Sequence, residues 1–373
     1  MSGSNPEIKK TLSDSARMWL LTGYKAGDNN QLLALAEELG WAFDVKKLVY
    51  HSYELLTNRL LGVTLAGINR RRSSRLEPPW PDLVISAGRR NEPVARWIRK
   101  QAGGTVRLVH IGRPWAPLDV FDLIITTPQY FLPARNNVLK NQLPLHRVTA
   151  TRLQQAASQW QERLSYLQRP YTAVLVGGNS GPFILTAEKG RSFGKLVNDL
   201  ALLHGGSVLL SNSARTPSDA FEALCEELTV PAYIYRWGSG QENNPYWAYL
   251  GLADQLVVSG ESMSMLAEAS AACKPLYIFD LSDNERSWWQ YAHSFRFKPL
   301  SHRLAMTVGP RRMRRDVGRI QHALIANRQA VWLGKAFPVV DNLLPPDDTR
   351  RAAERVRDLF VRCPTTSQTP PLA

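Results

Sequence analysis

Two glutamates, two short glycine turns and a few arginines carry the chemistry that this sequence could perform. In the stretch ADQLVVSGESMSMLAEASAACKPLYIFD, residues 253 to 280, Gly260 and Glu261 form a tight turn, and Ser262, Met263 and Ser264 open a helix. Glycine lets another molecule approach the backbone, and the unpaired N–H groups of a helix start suit a phosphate. Glu268, two turns on, lies near the same end of the sheet, where a carboxylate can accept hydrogen bonds from sugar hydroxyls. The same residues allow a plainer role, with Ser262 as a helix cap and Glu268 as a solvated helix residue. A second glycine-rich loop comprises Gly177, Gly178, Asn179, Ser180 and Gly181. Arg215 and Arg236 are candidate phosphate anchors, Asn244 sits in a further loop, and Trp237 either stacks on a base or is buried. Asp28, in GYKAGDNNQ, is either the N-cap of a helix or a carboxylate facing a cleft.

The elements that would position these groups alternate between strand and helix. Met18 to Thr22 reads as a strand and Leu32 to Leu39 as an amphipathic helix; Ala42 to Val49, Leu83 to Ser86, Val106 to Ile111 and Leu123 to Thr126 read as further strands. His110, Arg113 and Arg89 fall at strand ends and are cleft or surface residues. Residues 57 to 76 read as a helix or partly ordered loop. At Pro170 the pattern begins again, with strands at Ala173 to Val176, Ser207 to Ser211, Ala232 to Tyr235, Gln255 to Ser259 and Leu276 to Phe279. Such alternation predicts parallel sheets, whose ligands bind at the carboxyl ends of the strands. The expected divisions are a leader at 1–16, a first Rossmann-like domain at 17–150, a connecting helix at 151–170, a second Rossmann-like domain at 171–335, and a last helix and tail at 336–373.

With 373 residues, the chain suits two domains of roughly 150 to 200 residues each. No run of about 20 apolar residues exists, and the first residues lack the apolar core of a signal peptide. A cytoplasmic protein is therefore expected. Cys225, Cys273 and Cys363 are far apart without metal-ligand spacing, so neither a structural metal nor a disulfide framework is expected. The net charge of +14 is concentrated. Arg59, Arg70, Arg71, Arg72 and Arg75 are interleaved with apolar residues, and Arg303, Arg311, Arg312, Arg314, Arg315 and Arg319 form a second block. Basic and apolar residues together suit an anionic membrane surface, each charge adding on the order of 1 kcal/mol. A solvated basic face is the alternative; nucleic acid is disfavoured, since no zinc-finger spacing or RNA-binding strand motif is present.

The ordered set GYKAGDNNQ, VGGNSG, SNSARTP, NNPYWAYLGLAD and SGESMSMLAEASAACKP resembles the family named after the plant mitochondrial-fission ELM protein, across roughly residues 17 to 335. The resemblance implies the α/β, GT-B-like architecture, two Rossmann-like domains facing a central cleft, and a metal-independent glycosyltransferase. It also implies that Gly177 to Gly181 lie by a donor diphosphate, that Ser259 to Ser264 form the turn around the donor, and that Glu268 holds the donor ribose. Arg215 stands in a motif that in the family often reads Ser-Arg-Arg-Thr-Pro; Ala214 replaces the first Arg, leaving one basic contact. The expected reaction is transfer of a sugar from a nucleoside-diphosphate sugar to a cell-envelope acceptor, lipid-linked or lipopolysaccharide, at the inner face of the cytoplasmic membrane. Asp28 is the candidate base for the acceptor proton. A non-catalytic membrane adaptor and a sugar-nucleotide epimerase are the competing readings.

Overall fold

The computed structural model describes residues 16–51, 62–181, 183–240, 243–282, 308, 314–338 and 347–361. They divide into two compact units, one made of Met1–Ile125, Ala134–Leu139 and Thr349–Ala373, the other of Thr126–Pro133 and Lys140–Asp348.

The first unit is built on β1 (Met18–Thr22), α1 (Ala26–Leu39), β2 (Phe43–Lys47), β3 (Leu83–Ala87), α2 (Glu92–Gln101), β4 (Arg107–Ile111), β5 (Leu123–Thr126) and β6 (Val138–Lys140). Its sheet has the order β2-β1-β3-β4-β5-β6, and the neighbours from β2 to β5 pair in parallel. The runs MWLLT and LVISA are buried along their whole length, as strands covered on both faces must be. FDVKK, at the edge, is mostly exposed. Helix α1 starts six residues before the expected Leu32, because its polar first turn, Ala26 to Gln31, carries no apolar periodicity.

In the second unit α3 (Ala150–Gln161), β7 (Tyr171–Leu175), α4 (Ala187–His204), β8 (Ser207–Ser211), α5 (Ser218–Cys225), β9 (Ala232–Tyr235), α6 (Tyr246–Leu252), β10 (Gln255–Ser259), α7 (Met263–Ala271), β11 (Leu276–Phe279), α8 (Gly318–Ala326) and β12 (Val331–Trp332) follow in turn. All the strands pair in parallel, in the order β12-β11-β10-β7-β8-β9. Successive residues of β7 supply opposite faces: Ala173 and Leu175 join one apolar cluster, Val174 the other. The segment expected as a connection becomes α3, which packs inside this unit so closely that a Cβ on Gly251 would lie 2.6 Å from the Leu153 carbonyl oxygen.

The expected α/β class with two Rossmann-like units is the one the chain adopts. Helix α9 (Asp348–Arg357), from Thr349 on, returns to the first unit, where Arg357 donates to the Glu38 carbonyl at 2.6 Å and Phe360 meets Trp41 edge-on at 5.1 Å. Residues 62 to 76 form a loop and not a helix, tied to the end of β2 by Ser74 N–H to Lys47 O at 2.8 Å and Val49 N–H to Ser73 Oγ at 2.9 Å. Arg70, Arg71, Arg72 and Arg75 are exposed on it, while Arg59 lies outside the described residues, as do Arg303, Arg311 and Arg312. Among the described residues no helix is long and apolar enough to cross a membrane.

Candidate functional site

The order β12-β11-β10-β7-β8-β9 reverses direction between β7 and β10, and an open α/β sheet leaves a crevice for a ligand at such a point. The two turns singled out in the sequence meet there. The Ser259 hydroxyl accepts from Gly177 N–H at 2.7 Å, joining the ends of the two strands. The third loop, after β8, closes against them: Gly178 bridges Arg215 in parallel, Asn179 N–H donates to Arg215 O at 3.1 Å, and the hydroxyls of Ser213 and Thr216 donate to Gly177 O.

The glycines are required by this packing. A Cβ on Gly177 would run into the Glu261 carboxylate and lie 2.9 Å from the Ser262 Cβ; one on Gly178, at φ +117°, would strike the Arg215 carbonyl and lie 2.6 Å from Thr216 N. Gly260 is pinned in the same way, with a prospective Cβ 2.6 Å from the Gln321 amide nitrogen, which donates to Gly260 O at 2.6 Å. At Gly177, Gly178 and Gly260 the missing side chains make room for neighbouring parts of the chain. Gly181 is exposed at φ +59°, in the turn where Ser180 and Phe183 exchange backbone hydrogen bonds.

What the packing encloses is a charge. The Glu261 side chain is fully buried, and burial pushes its carboxyl up to about 7 while Arg215 pulls the other way. Arg215 Nη2 lies 3.5 Å from Glu261 Oε1 and 3.4 Å from Ser262 Oγ, and Nη1 lies 3.4 Å from Asn179 O. The guanidinium remains 38% exposed, so it joins a buried anion to solvent. Helix α7 starts here. Ser262 is its N-cap residue yet makes no side-chain cap bond, so the capping role considered for it is not the one it plays, and the first N–H groups, Met263 and Ser264 among them, are those that a helix leaves unpaired.

Glu268 is no solvated helix residue. It is buried, one carboxylate oxygen accepts from the Tyr246 hydroxyl, and burial pushes the group up to about 7 against the pull of Tyr246 and Arg147. Burial beside Glu268 holds the Tyr246 phenol well above its usual range, so the phenol is the donor. Tyr246 and Arg147 were missed as partners of Glu268. They come from other elements, and nothing in their spacing pairs them with it.

A scan against known families matches the sequence model described as mitochondrial fission ELM1 over residues 26–359. The chain belongs to that family. The ELM1-family chain is 28% identical over 242 residues to the mitochondrial fission protein ELM1 of Arabidopsis thaliana, covering 59% of this chain and 56% of that protein's length. It is also 25% identical over 295 residues to the uncharacterized protein RP120 of Rickettsia prowazekii, covering 70% and 82%. Among solved structures it is similar to a UDP-GlcNAc 2-epimerase from Neisseria meningitidis, with a TM-score of 0.46 and 11% identity over 92% of this chain and 100% of that one. A glycosyltransferase from Rickettsia africae gives a TM-score of 0.44 and 9% identity over 93% and 88%. Likeness at these scores says nothing about chemistry.

The remaining candidates of the ELM1-family chain have other partners. Arg236 pairs with Glu222 at 2.8 Å and stacks over Phe221 at 5.2 Å, both members of the ion pair being exposed. Asn244 accepts from Tyr246 N–H at 3.0 Å and so serves the start of α6. Trp237 is exposed, not buried, and its backbone N–H donates to the Asn212 side-chain oxygen at 2.6 Å. In the first unit Asp28 is not the N-cap of α1, which is Lys25; it lies one turn in, 3.9 Å from the Lys25 ammonium and about a third exposed. His110 is fully buried, 3.0 Å from Ser86 Oγ, and burial lowers its pKa to about 3, so it stays neutral. Arg89 lies over Trp115 at 4.7 Å. Among the described residues no three His, Cys, Asp or Glu side chains are grouped so as to hold a metal ion.

Proposed function

We propose that this protein binds a nucleoside-diphosphate sugar at the switch point of its second unit and transfers the sugar to an acceptor at the cytoplasmic face of the membrane. The observation that carries the donor site is the convergence of three strand-end loops on one accessible guanidinium, Arg215, beside an uncapped helix start. Breaking the bond between sugar and diphosphate builds negative charge on the leaving group. A fixed cation and aligned N–H groups stabilise that charge without a metal. Glu268, steadied by the Tyr246 hydroxyl, would receive the ribose hydroxyls. Asp28 in the first unit would take the acceptor proton, and the exposed Arg70, Arg71, Arg72 and Arg75 would rest on anionic lipid.

A second reading is a membrane adaptor without catalysis, with which the glycines are equally compatible. Packing requires glycine at Gly177, Gly178 and Gly260 with or without a bound nucleotide. Calorimetry with a panel of nucleoside diphosphates and their sugars, in magnesium-free buffer, separates the two. One nucleotide should bind at micromolar concentration, weakened about ten- to a hundredfold by Arg215→Ala and by Glu268→Ala. Absence of binding to the whole panel, beside tight association with anionic vesicles, would establish the adaptor instead.

A further inference from the structure

We infer that binding of a nucleoside diphosphate at this site is coupled to protonation of Glu261, the buried partner that positions Arg215. This deepens the donor reading and rests on it. The carboxylate has no solvent exposure and its Oε2 has no hydrogen-bond partner. Its Oε1 shares Arg215 at 3.5 Å, longer than the roughly 2.8 Å of a well-formed charge-assisted bond. Arg215 is thus loosely held from inside, by three contacts of 3.4 to 3.5 Å, and reachable from outside.

A diphosphate offers several anionic oxygens, and the guanidinium will turn its donors to them. Glu261 is then left inside the protein with less of its countercharge and with new negative charge nearby. An ionised carboxylate in that position is costly, and the cheaper state is the neutral acid. Beyond Arg215 the surroundings supply no second countercharge, only neutral hydrogen bonds from the Ser259 hydroxyl and the Glu261 and Gly178 backbone. From the loop after β8 comes Arg215; from the loop after β7 come neutral backbone groups at Gly177 and Gly178; Ser259 and Ser262 offer hydroxyls; and Gln321 on α8 is neutral and occupied by Gly260 O. Glu268, further along α7, faces Tyr246 and Arg147. One proton therefore passes from solvent to a Glu261 oxygen as the diphosphate arrives, and returns when it leaves. With Glu261 poised at about 7, the exchange takes place near neutral pH. Affinity should fall as pH rises, and the departing nucleoside diphosphate should leave more readily in alkali.

The test is calorimetry of the intact chain with the best-binding nucleotide sugar, whose diphosphate does not titrate near neutrality, in two buffers of different ionisation enthalpy. The wild type should take up more than about half a proton at pH 7.5, and its dissociation constant should rise about tenfold between pH 7.0 and 8.5. Glu261→Gln, shown by thermal unfolding to be folded, should bind with no proton uptake and a flat profile. Infrared difference spectra of the wild type should show a carboxylic acid C=O band appearing on ligand addition, independent of any variant. Binding without proton uptake in the wild type would overturn the inference while leaving the donor site standing, as would uptake that persists undiminished in Glu261→Gln. Absence of binding to any nucleotide would remove the donor reading itself.

Discussion

Each unit buries a glutamate completely, and the two are held in opposite ways. Glu92, at the start of α2, accepts from Trp115 N–H at 2.9 Å on one oxygen and from Ala116 N–H at 2.8 Å on the other. Glu261 has one loose ion pair and an oxygen with no partner. The surroundings repeat the contrast. Where the order of the first sheet reverses, between β1 and β3, Asn91 donates to Leu21 O at 2.8 Å and to Ala87 O at 3.0 Å and accepts from the Tyr50 hydroxyl, while Asn29 pairs with both backbone groups of Gly23. Neutral bonds satisfy both asparagine side chains there, with the Arg90 guanidinium lying over Tyr50 at 5.8 Å. Its counterpart in the second unit is left short of bonds around a charge, and a group short of partners is one that a ligand can complete.

The largest test of this contrast is backbone. Gly178→Ala should destabilise the second unit by about 3 kcal/mol or more, since the new methyl group meets the Arg215 and Thr216 backbone at φ +117°. Gly40→Ala in the first unit, at φ +71° with nothing within 4 Å, should cost about 1 kcal/mol. Denaturant unfolding of both variants reads the difference directly, and equal losses would break the comparison.

Next comes pH. A carboxyl raised from 4.5 to about 7 on folding binds protons more tightly in the native state, so its contribution is full below about 4.5 and is lost as pH rises to about 7. Glu268→Gln should therefore gain about 2 kcal/mol on the wild type between pH 5 and pH 8, measured as the difference in unfolding free energy. A constant difference across that range would show that Glu268 does not titrate there. The smallest effect is expected at the asparagine junction. Asn91→Ala should cost about 1 to 2 kcal/mol of stability and leave nucleotide affinity unchanged; a fall in affinity would show that the first unit takes part in holding the donor.

Much of the fold was legible because strands covered on both faces must be apolar throughout. LVISA, YTAVL, SVLLS and QLVVS could hardly be anything else. The positions of the turns followed, and with them the meeting of Gly177, Arg215 and Glu261. What they face did not. Whether a glycine clears space for a ligand or for its own chain depends on what folds against it. For Gly177 that is a glutamate many residues later, brought close by the crossing from β7 to β10. The burial of Glu261 and the pairing of Glu268 with Tyr246 depend on the same crossing. Arg236 does stand at a strand end, but its pairing with Glu222 on α5 could not be read from their spacing.

The return of residues 349 to 361 to the first unit bears on how the protein is made. Trp41 and the end of α1 leave the ribosome before the second unit, yet Phe360 and Arg357, which cover them, come after the whole of it has been synthesised. The nascent first unit must wait with one flank bare. Severing the chain between the units would yield an amino-terminal half missing a piece of itself, so the two halves should be recoverable together but not apart.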